Sequence, residues 1–547
     1  VFMVTGRGFA NNAAIWPISA VVSLCGYFII FSVGIAILYK WLEGVEVCGE
    51  YAYTIKREPL VRRYMQSLCK NTFPTAFITI FILYIPYMII SYPAIHMGDT
   101  CNQLAQGYNF LEGTSGYLNL INENVRLNGH HPILHTLYLH LCMVIGDKVF
   151  DSYNVGIFLV SITQTICIIS VISYALSVMV KSGVRIQVVL LTMLYFVLSP
   201  RIQNYMFLIT KDVFTACALL IFGISIWQIQ REESNRVSYI SFTISGICLG
   251  LFRNDGKYIV FACALFLLSA EWRKWKKIVV CTAITMVIIG FLFQVIMPVF
   301  QITPSSRREA LSLPFQQTAR YIRDYGNEVT LTEKEAISKV LKYDVIAEKY
   351  VPDNGDFVKE EYNEEASASD LAAYFKVWWE MLKKHPDVYI KAAMDNYYNY
   401  FYPGGELAQA YTYEQSAIFM TYVNDALDEI GMSIHYPEWS CGIRQRYETL
   451  REKIFELPLL SLFRCSAFYV WTLVLWFFYL LKKKQMRMAL PALPMVLSLG
   501  VALLASRNGD YFRYLYGIAF SIPVILVLGQ TRVQGGANDS RCEKMEA

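Results

Sequence analysis

Histidines and an acid gather in two polar stretches of an otherwise apolar sequence. Four of the seven histidines fall in "NGHHPILHTLYLH" (residues 128–140), and a fifth, His96, stands close to Asp99 in "HMGDTCNQ". Imidazole can bind a metal, hydrogen-bond a substrate or exchange a proton near neutral pH. A carboxylate can act as a general base or ligate a cation. The two stretches therefore predict a site that binds or converts a ligand, and the alternative is that they are interfacial polar residues.

Asp99 is the residue that we predict to be catalytic. It follows the apolar run "YIPYMIISYPAIHMGD", so it lies just outside a predicted span. There it could remove the proton of an acceptor hydroxyl, or it could ligate a cation. The structural alternative is a helix N-cap for "TCNQLAQGYNFL", because aspartate is a favoured cap residue. Capping and catalysis are compatible roles for one carboxylate.

His131 and His135 are four residues apart, so a helix would place them on one face. With His96 and Asp99 they could form a metal site of three nitrogens and one oxygen. This spacing lacks the flanking glutamate of an HExxH motif, which makes it a weak metal signal. We therefore expect the three histidines to hydrogen-bond the substrate, with a divalent cation as the alternative. No other cofactor is predicted.

Basic residues stand at the predicted outer ends of other apolar runs, and they suit a phosphate ligand. Arginine offers a fixed fork for two hydrogen bonds, and lysine offers a point charge. Charges close to a membrane are costly, so their gathering on one face favours a function for the set. For any single residue, an ion pair such as Arg253 with Asp255 is the ordinary interpretation. The predicted substrate-binding residues of this set are Lys211, Arg253, Asp255, Lys257, Arg507 and Arg513.

The apolar composition places the chain among polytopic membrane proteins. Of its 547 residues, 55% are hydrophobic and only 17% are charged, and the mean hydropathy is +0.36. A soluble domain could not bury that much apolar surface. We predict an all-α fold with about eleven spans across roughly 30 Å of hydrocarbon. The predicted spans are 13–40, 74–92, 152–180, 187–200, 204–228, 238–252, 257–270, 277–300, 461–481, 488–506 and 511–530.

Lysine and arginine collect in alternate connections, and this pattern predicts the orientation of the chain. The connections 40–73, 271–277 and 482–487 are basic. They alternate with the other connections only if 132–146 does not cross the membrane. As a helix that segment would be only about 22 Å long, so we interpret it as a juxtamembrane or re-entrant helix. The N-terminus is then outside and the C-terminus is cytoplasmic.

Charge divides the chain into three predicted domains. Residues 301–460 hold 26 of the 44 acidic and 17 of the 48 basic residues, a net charge of −9, whereas the remainder carries +13. We predict that 301–460 is a mostly helical extracytoplasmic domain inserted into a basic membrane body. Residues 1–300 are the predicted N-terminal transmembrane module, with a first outer loop at 93–151. Residues 461–547 are the predicted C-terminal transmembrane module and cytoplasmic tail.

The segments "GHHPILHTLYLHLCMVIG", "ITKDVFTACALLIFGIS" and "GLFRNDGKYIVFACALFLL" resemble those of bacterial members of the GT-C superfamily of membrane glycosyltransferases. The resemblance covers the spans within 74–300 and, more loosely, the last three spans. It implies that Asp99 matches the first-loop catalytic aspartate of that superfamily. It also implies that Arg253, together with Arg507 and Arg513, holds a lipid phosphate. Two departures are the lack of an Asp-x-Asp pair beside Asp99 and the position of the large insert before the last three spans.

The resemblance implies transfer of a sugar from a polyprenyl-phosphate donor to a glycan, lipid or protein acceptor. The expected location is the outer face of the plasma membrane of a bacterium, in the assembly of cell wall or cell-surface polysaccharide. Membrane lipids are expected partners, and nucleic acids are not. The alternative is a flippase, transporter or polymerase of the same lipid-linked glycan. Transporters tend to have internal repeats and charges near the membrane centre, and no internal repeat is detectable in this sequence.

The predicted orientation can be tested by cysteine labelling in intact cells. Because 301–460 is expected outside, Asn363→Cys should react with a membrane-impermeant maleimide added to the medium. Gln485→Cys, in the basic connection 482–487, should react only after the membrane is permeabilised. The reverse pattern would contradict the orientation.

Overall fold

Helices dominate the described part of the chain. The structure, a computed structural model, describes residues 17–44, 59–108, 127–231, 234–402, 412–427, 433–458, 460–505 and 512–531. Within these ranges the sheet structure is limited to two strands of two residues each and a few isolated bridges. The described chain therefore agrees with the predicted all-α class.

The helices before residue 300 mostly coincide with the apolar runs, because a helix satisfies its own backbone hydrogen bonds inside hydrocarbon, whereas Pro59–Lys70 and Gly98–Tyr108 are amphipathic or polar. They are α1 (Pro17–Gly44), α2 (Pro59–Lys70), α3 (Thr72–Ser91), α4 (Gly98–Tyr108), α5 (Ile133–Phe150), α6 (Tyr153–Lys181), α7 (Ile186–Leu198), α8 (Pro200–Phe207), α9 (Lys211–Ile229), α10 (Arg236–Phe252), α11 (Gly256–Ala270) and α12 (Trp275–Phe291). A π turn (Leu292–Ile296) extends α12 to a last helical turn at Met297–Val299.

The helices after residue 300 fall into an amphipathic group and an apolar group. The first group, with two very short members, is α13 (Ser312–Tyr325), α14 (Leu331–Ser338), α15 (Tyr343–Ile346), α16 (Asp356–Lys359), α17 (Ala368–Lys384), α18 (Pro386–Phe401), α19 (Tyr413–Leu427) and α20 (Cys441–Glu456). The second group is α21 (Ser466–Lys482), α22 (Leu493–Ala505) and α23 (Tyr516–Leu528). Short 3-10 turns lie at Trp272–Lys274, Arg307–Ala310, Gly326–Glu328, Glu438–Ser440, Ser461–Arg464, Met486–Ala492 and Phe512–Leu515.

Six helical stretches of the described chain are long and apolar enough to cross a membrane. They are Thr72–Ser91, Ile133–Phe150, Tyr153–Lys181, Lys211–Ile229, Trp272–Val299 and Met486–Leu504. The pair α7 and α8, bent by 57°, is a broken span or a re-entrant loop and would be a seventh. Four shorter apolar helices are Arg236–Phe252, Gly256–Ala270, Ser466–Lys482 and Phe512–Leu528. The chain is thus a helical protein with several candidate membrane spans, and every predicted span overlaps a helix.

Two elements differ from the sequence prediction. The predicted segment 132–146 is longer in the structure, where α5 has 18 residues and ends at Phe150. Asp151, in the left-handed conformation, caps its C-terminus. At about 27 Å, α5 is long enough to be a candidate span. The predicted span 204–228 starts later, because Thr210 caps α9 with its side chain and α8 is a separate helix.

Helix α9 is the centre of the apolar core. Most of its residues are buried, and it packs against α6, α10, α22 and α23. The core that surrounds it also takes side chains from α3, α7, α11 and α21. Because α9 is enclosed by neighbours, its N-terminal residues Lys211 and Asp212 are held at a fixed point at one end of the bundle.

A glutamine inside α6 stabilises the non-helical connection between α8 and α9. The amide of Gln164 is fully buried and donates to the carbonyls of Met206 and Leu208, both at 2.9 Å. These carbonyls lie where the regular helix stops, and buried carbonyls without partners are costly. The polar residue in an apolar run therefore stabilises the non-helical connection that leads to Lys211.

The segment 301–400 has a hydrophobic core of its own. That core takes residues from α13, α14, α16, α17 and α18, and aromatic residues are frequent in it. A short parallel pairing joins its start to the polar stretch of the first half, with Asn128 opposite Thr303 and Gly129 opposite Pro304. A Cβ at Gly129 would lie 2.7 Å from Met297 and 3.1 Å from the Thr303 carbonyl, so the close pairing requires glycine.

Candidate functional site

Two strand-like contacts bring the predicted site residues together. The N–H of Ile95 donates to Phe207 at 2.9 Å, and the N–H of Ile209 donates to Ile95 at 3.0 Å. The hydroxyl of Thr100 then donates to the Ile209 carbonyl at 2.8 Å. This pairing fixes the first turn of α4, which carries Asp99, against the start of α9.

Asp99 is the centre of a network of ion pairs. Arg513 donates to both of its oxygens, with Nη2 to Oδ2 at 2.6 Å and Nη1 to Oδ1 at 3.2 Å. Lys211 Nζ lies 3.2 Å from Asp99 Oδ2 and 2.9 Å from His131 Nδ1. Arg513 also lies 3.2 Å from Asp212 through Nε. Four residues predicted from the sequence, Asp99, His131, Lys211 and Arg513, therefore meet at one point.

The network is largely shielded from solvent, and this sets the charge of Asp99. Its side chain is 20% exposed, compared with 16% for Lys211 and 11% for Arg513. Burial alone would raise the pKa of Asp99, but the charges of Arg513 and Lys211 outweigh it and hold the pKa well below the usual range. Asp99 is therefore ionised at neutral pH, and its oxygens are occupied by cationic donors.

His131 is neutral in this network and presents one nitrogen to a ligand. Burial and the adjacent Lys211 lower the pKa of His131 well below its ordinary value. The ammonium of Lys211 can only donate, so Nδ1 of His131 accepts and the proton is on Nε2. That Nε2–H is buried and has no hydrogen-bond partner among the described residues. It can donate to an oxygen of a bound ligand.

The other two predicted histidines have different surroundings. His135 Nδ1 is 3.0 Å from the side-chain oxygen of Gln103, and its ring packs edge to face on Phe214. His96 is fully buried, its backbone N–H donates to Ser416, and burial lowers its pKa to about 4. In the described structure His96 has no hydrogen bond or ion pair with Asp99. His135 thus borders the network, whereas His96 packs against α19.

The remaining basic residues of the prediction divide into three cases. Arg253 Nε donates to Asp255 at 2.7 Å, which is the ordinary ion pair given as the alternative. Burial would lower the pKa of Arg253, but Asp255 and Asp212 raise it, so this pair lies close to the network. Lys257 Nζ lies 4.5 Å from the centre of the Phe293 ring, away from Asp99. Arg507 falls outside the described residues.

Residues without a predicted catalytic or binding role also border the network. Asp212 binds Arg513, and its carboxylate accepts a hydrogen bond from Thr210 at 2.9 Å. From the segment after residue 300, Lys359 pairs with Glu309 at 3.1 Å, and both charges act on His130 next to His131. The contribution of Glu309 and Lys359 had no sequence signal.

The alternative prediction for Asp99 and the histidines is a metal site. Within the described ranges, no group of three or more His, Cys, Asp or Glu side chains has the arrangement to hold a metal ion. Asp99 and His131 are near each other, at 3.6 Å, but His96 is not part of that group. A divalent cation therefore stays a prediction from the sequence. In the structure, Asp99 is bound by Lys211 and Arg513.

The fold and the network define a helical protein that has candidate membrane spans and a buried acid–base cluster at one end of its helix bundle. The chain belongs to the family described as "Family of unknown function (DUF6020)", whose sequence profile matches residues 54–542. Neither the curated proteins nor the solved structures contain a match to the chain.

Replacing Asp99 should destabilise the folded protein. In Asp99→Asn, Lys211 loses its carboxylate and Arg513 keeps only Asp212, so two poorly solvated cations stay close together. We expect the free energy of unfolding to fall by about 3 kcal/mol. The decrease can be measured as a lower Tm by intrinsic fluorescence of the purified protein in detergent at neutral pH.

The destabilisation by Asp99→Asn should depend on pH in a defined direction. Since folding lowers the pKa of Asp99, its stabilisation is complete above the ordinary aspartate pKa of about 4 and is lost as the pH falls through the lower folded value. The Tm difference should stay constant down to about pH 4 and shrink only below it. Asp147→Asn is the control, because it removes a partly exposed carboxylate whose cationic partner, Lys148, is itself well exposed to solvent. It should lower the Tm much less than Asp99→Asn does. Strictly additive effects of Asp99→Asn and Lys211→Met would contradict the pairing.

Proposed function

We propose that the protein is a membrane glycosyltransferase of the GT-C type, which transfers a sugar from a polyprenyl-phosphate donor to an acceptor. The observation that carries the proposal is the contact of Asp99 with Arg513 and Lys211 beside neutral His131. A carboxylate, two fixed cations and a free imidazole N–H are the groups that such a transfer needs. They lie where α4, α9 and the start of α23 meet.

The cations of the network match the donor phosphate. Arg513 presents a planar fork that fits two phosphate oxygens, and Lys211 adds a point charge. Both are bound to Asp99 in the structure, so a donor phosphate would compete with Asp99 for them. When the phosphate binds these cations, the carboxylate loses the charges that lower its pKa and becomes a stronger base. Donor binding and activation of Asp99 are therefore coupled.

The chemical step follows from these positions. The acceptor hydroxyl oxygen attacks the anomeric carbon of the sugar, and its proton passes to Asp99. The bond between the anomeric carbon and the phosphate oxygen breaks, and its electron pair stays on the polyprenyl phosphate. Arg513 and Lys211 stabilise the charge that develops on this leaving group, and the Nε2–H of His131 donates to one of its oxygens. The sugar is then joined to the acceptor.

A lipid-linked donor explains why the network lies at the ends of apolar helices. The prenyl chain can stay in the hydrocarbon while the phosphate reaches the cations. We place the network on the extracytoplasmic face of the plasma membrane. This placement requires that α5 does not cross the membrane, because only then do the basic connections alternate around the network. The full proposal includes about eleven spans and an extracytoplasmic domain at 301–460. The acceptor would then reach Asp99 from the side where Glu309 and Lys359 border the network.

The proposed activity can be measured directly. Purified protein in proteoliposomes should release free polyprenyl phosphate from at least one polyprenyl-phosphate sugar of a panel when a glycan, lipid or protein acceptor is added, detected by mass spectrometry. Asp99→Asn should lower the rate by about 10²-fold or more, because the base is lost. Arg513→Lys should raise the KM for the donor, because lysine cannot form the two parallel hydrogen bonds of a guanidinium group. Asp147→Asn, far from the network, should behave as wild type.

Two outcomes would overturn the proposal. One is that no donor of the panel releases polyprenyl phosphate while the same proteoliposomes move a lipid-linked glycan across the bilayer. That result would indicate a flippase or transporter. The other is release of polyprenyl phosphate at an unchanged rate by Asp99→Asn protein whose Tm shows that it is folded. Asp99 would then be a structural ion-pair partner only.

A further inference from the structure

Helix α20 has an exposed apolar stripe that the proposed function does not use. Ile443, Leu450 and Leu457 are 46%, 56% and 52% exposed. They are seven residues apart, so they fall on one line along the helix and drift by only about 20° per step. Trp439, in the 3-10 turn that leads into α20, is 61% exposed. An exposed apolar stripe of this length requires an explanation.

The remaining faces of α20 have different chemistry. Arg444, Arg451 and Phe455 are buried against the protein. On the exposed side, Arg446 and Lys453 border the apolar stripe directly, since each is three residues after a stripe position. The polar residues occupy the exposed side away from the stripe, and they are Gln445, Thr449, Glu452 and Glu456. The helix therefore has a buried face, an apolar stripe with a basic border and an acidic, polar side.

Contacts of the buried face give the depth of α20 relative to the candidate spans. The ring of Tyr447 lies 5.6 Å from that of Tyr87, one turn before the end of α3. The hydroxyl of Tyr447 donates to Gln203 in α8 at 3.3 Å. The chain after α20 passes through the 3-10 turn Ser461–Arg464 directly into the apolar helix α21. Helix α20 thus packs beside the last turn of α3, one of the candidate spans, and beside α8.

We propose that α20 is an interfacial helix whose apolar stripe rests on the acyl-chain boundary of the membrane. Arg446 and Lys453 would then reach the phosphates of anionic lipid headgroups, while the acidic side faces water. Amphipathic helices with a basic border and a tryptophan bind membrane surfaces in this way. The bilayer is favoured over a protein partner as the occupant because the stripe leads into an apolar helix and its border carries charge opposite to that of anionic lipids.

Photo-crosslinking of the full-length protein tests this inference. Leu450 is replaced by a photoreactive amino acid, and the protein is reconstituted in nanodiscs of phosphatidylcholine with phosphatidylglycerol. Illumination should produce lipid adducts at position 450 that mass spectrometry detects. The matched control is the same replacement at Gln445, an exposed residue on the polar side of the same helix, which should give few lipid adducts. Both proteins must elute from gel filtration as wild type does.

Neutralising Arg446 and Lys453 tests whether the negative charge of the lipid headgroups contributes to binding. Arg446→Gln together with Lys453→Gln should reduce the adducts at position 450 in the anionic nanodiscs, by up to about fivefold per charge removed. In nanodiscs of phosphatidylcholine alone the same pair should have little effect. Equal lipid labelling at Leu450 and Gln445 would overturn the inference. So would crosslinks from position 450 to a second copy of the chain or to its own peptides, which would identify a protein occupant.

Discussion

The network around Asp99 depends on one constraint, which is that two cations and two carboxylates share a poorly solvated volume at the end of a helix bundle. Taking charges out of water is costly, and each is tolerated only because the others are within hydrogen-bonding distance. Arg513 connects the two carboxylates, and Lys211 connects Asp99 to His131. Removing one of these residues would leave a poorly solvated charge on its partner without compensation. The network therefore holds α4, α9 and the start of α23 in their relative positions.

The surrounding structure brings these charges together without regular secondary structure between them. The Ile95–Leu208 pairing positions Asp99 against α9, and the pairing of Gly129 with Pro304 positions the histidine stretch against the segment after residue 300. Both pairings occur where helices stop and carbonyls need partners, which the amide of Gln164 supplies at one of them. The irregular backbone and the polar network are therefore two parts of one arrangement. In the proposed function, a lipid phosphate reaches this network from the apolar side.

The candidate spans could be predicted from the sequence because each is a long apolar run, and a helix satisfies the hydrogen bonds of its own backbone. The part of the site that could be predicted consisted of residue types at the ends of those runs, such as Asp99 and Lys211. Their meeting could not be predicted, since Asp99 and Arg513 are 414 residues apart in the chain. The sequence groups His96 with Asp99 because they are close in the chain, whereas in the structure His96 is buried and its backbone N–H donates to Ser416 of α19. The prediction ends the histidine-rich segment at residue 146, whereas α5 continues through Asp147 and Lys148 to Phe150.

The claim that everything else rests on is that Asp99 is ionised by Arg513 and Lys211 and is released when a phosphate takes these cations. Infrared difference spectroscopy of protein with isotope-labelled aspartate, compared with Asp99→Asn, reports the protonation of this one carboxyl. Without ligand, Asp99 should stay ionised well below the ordinary aspartate pKa of about 4, and saturating polyprenyl phosphate should move its titration to clearly higher pH. Titration at the ordinary value without ligand, or no shift on adding polyprenyl phosphate, would contradict the account.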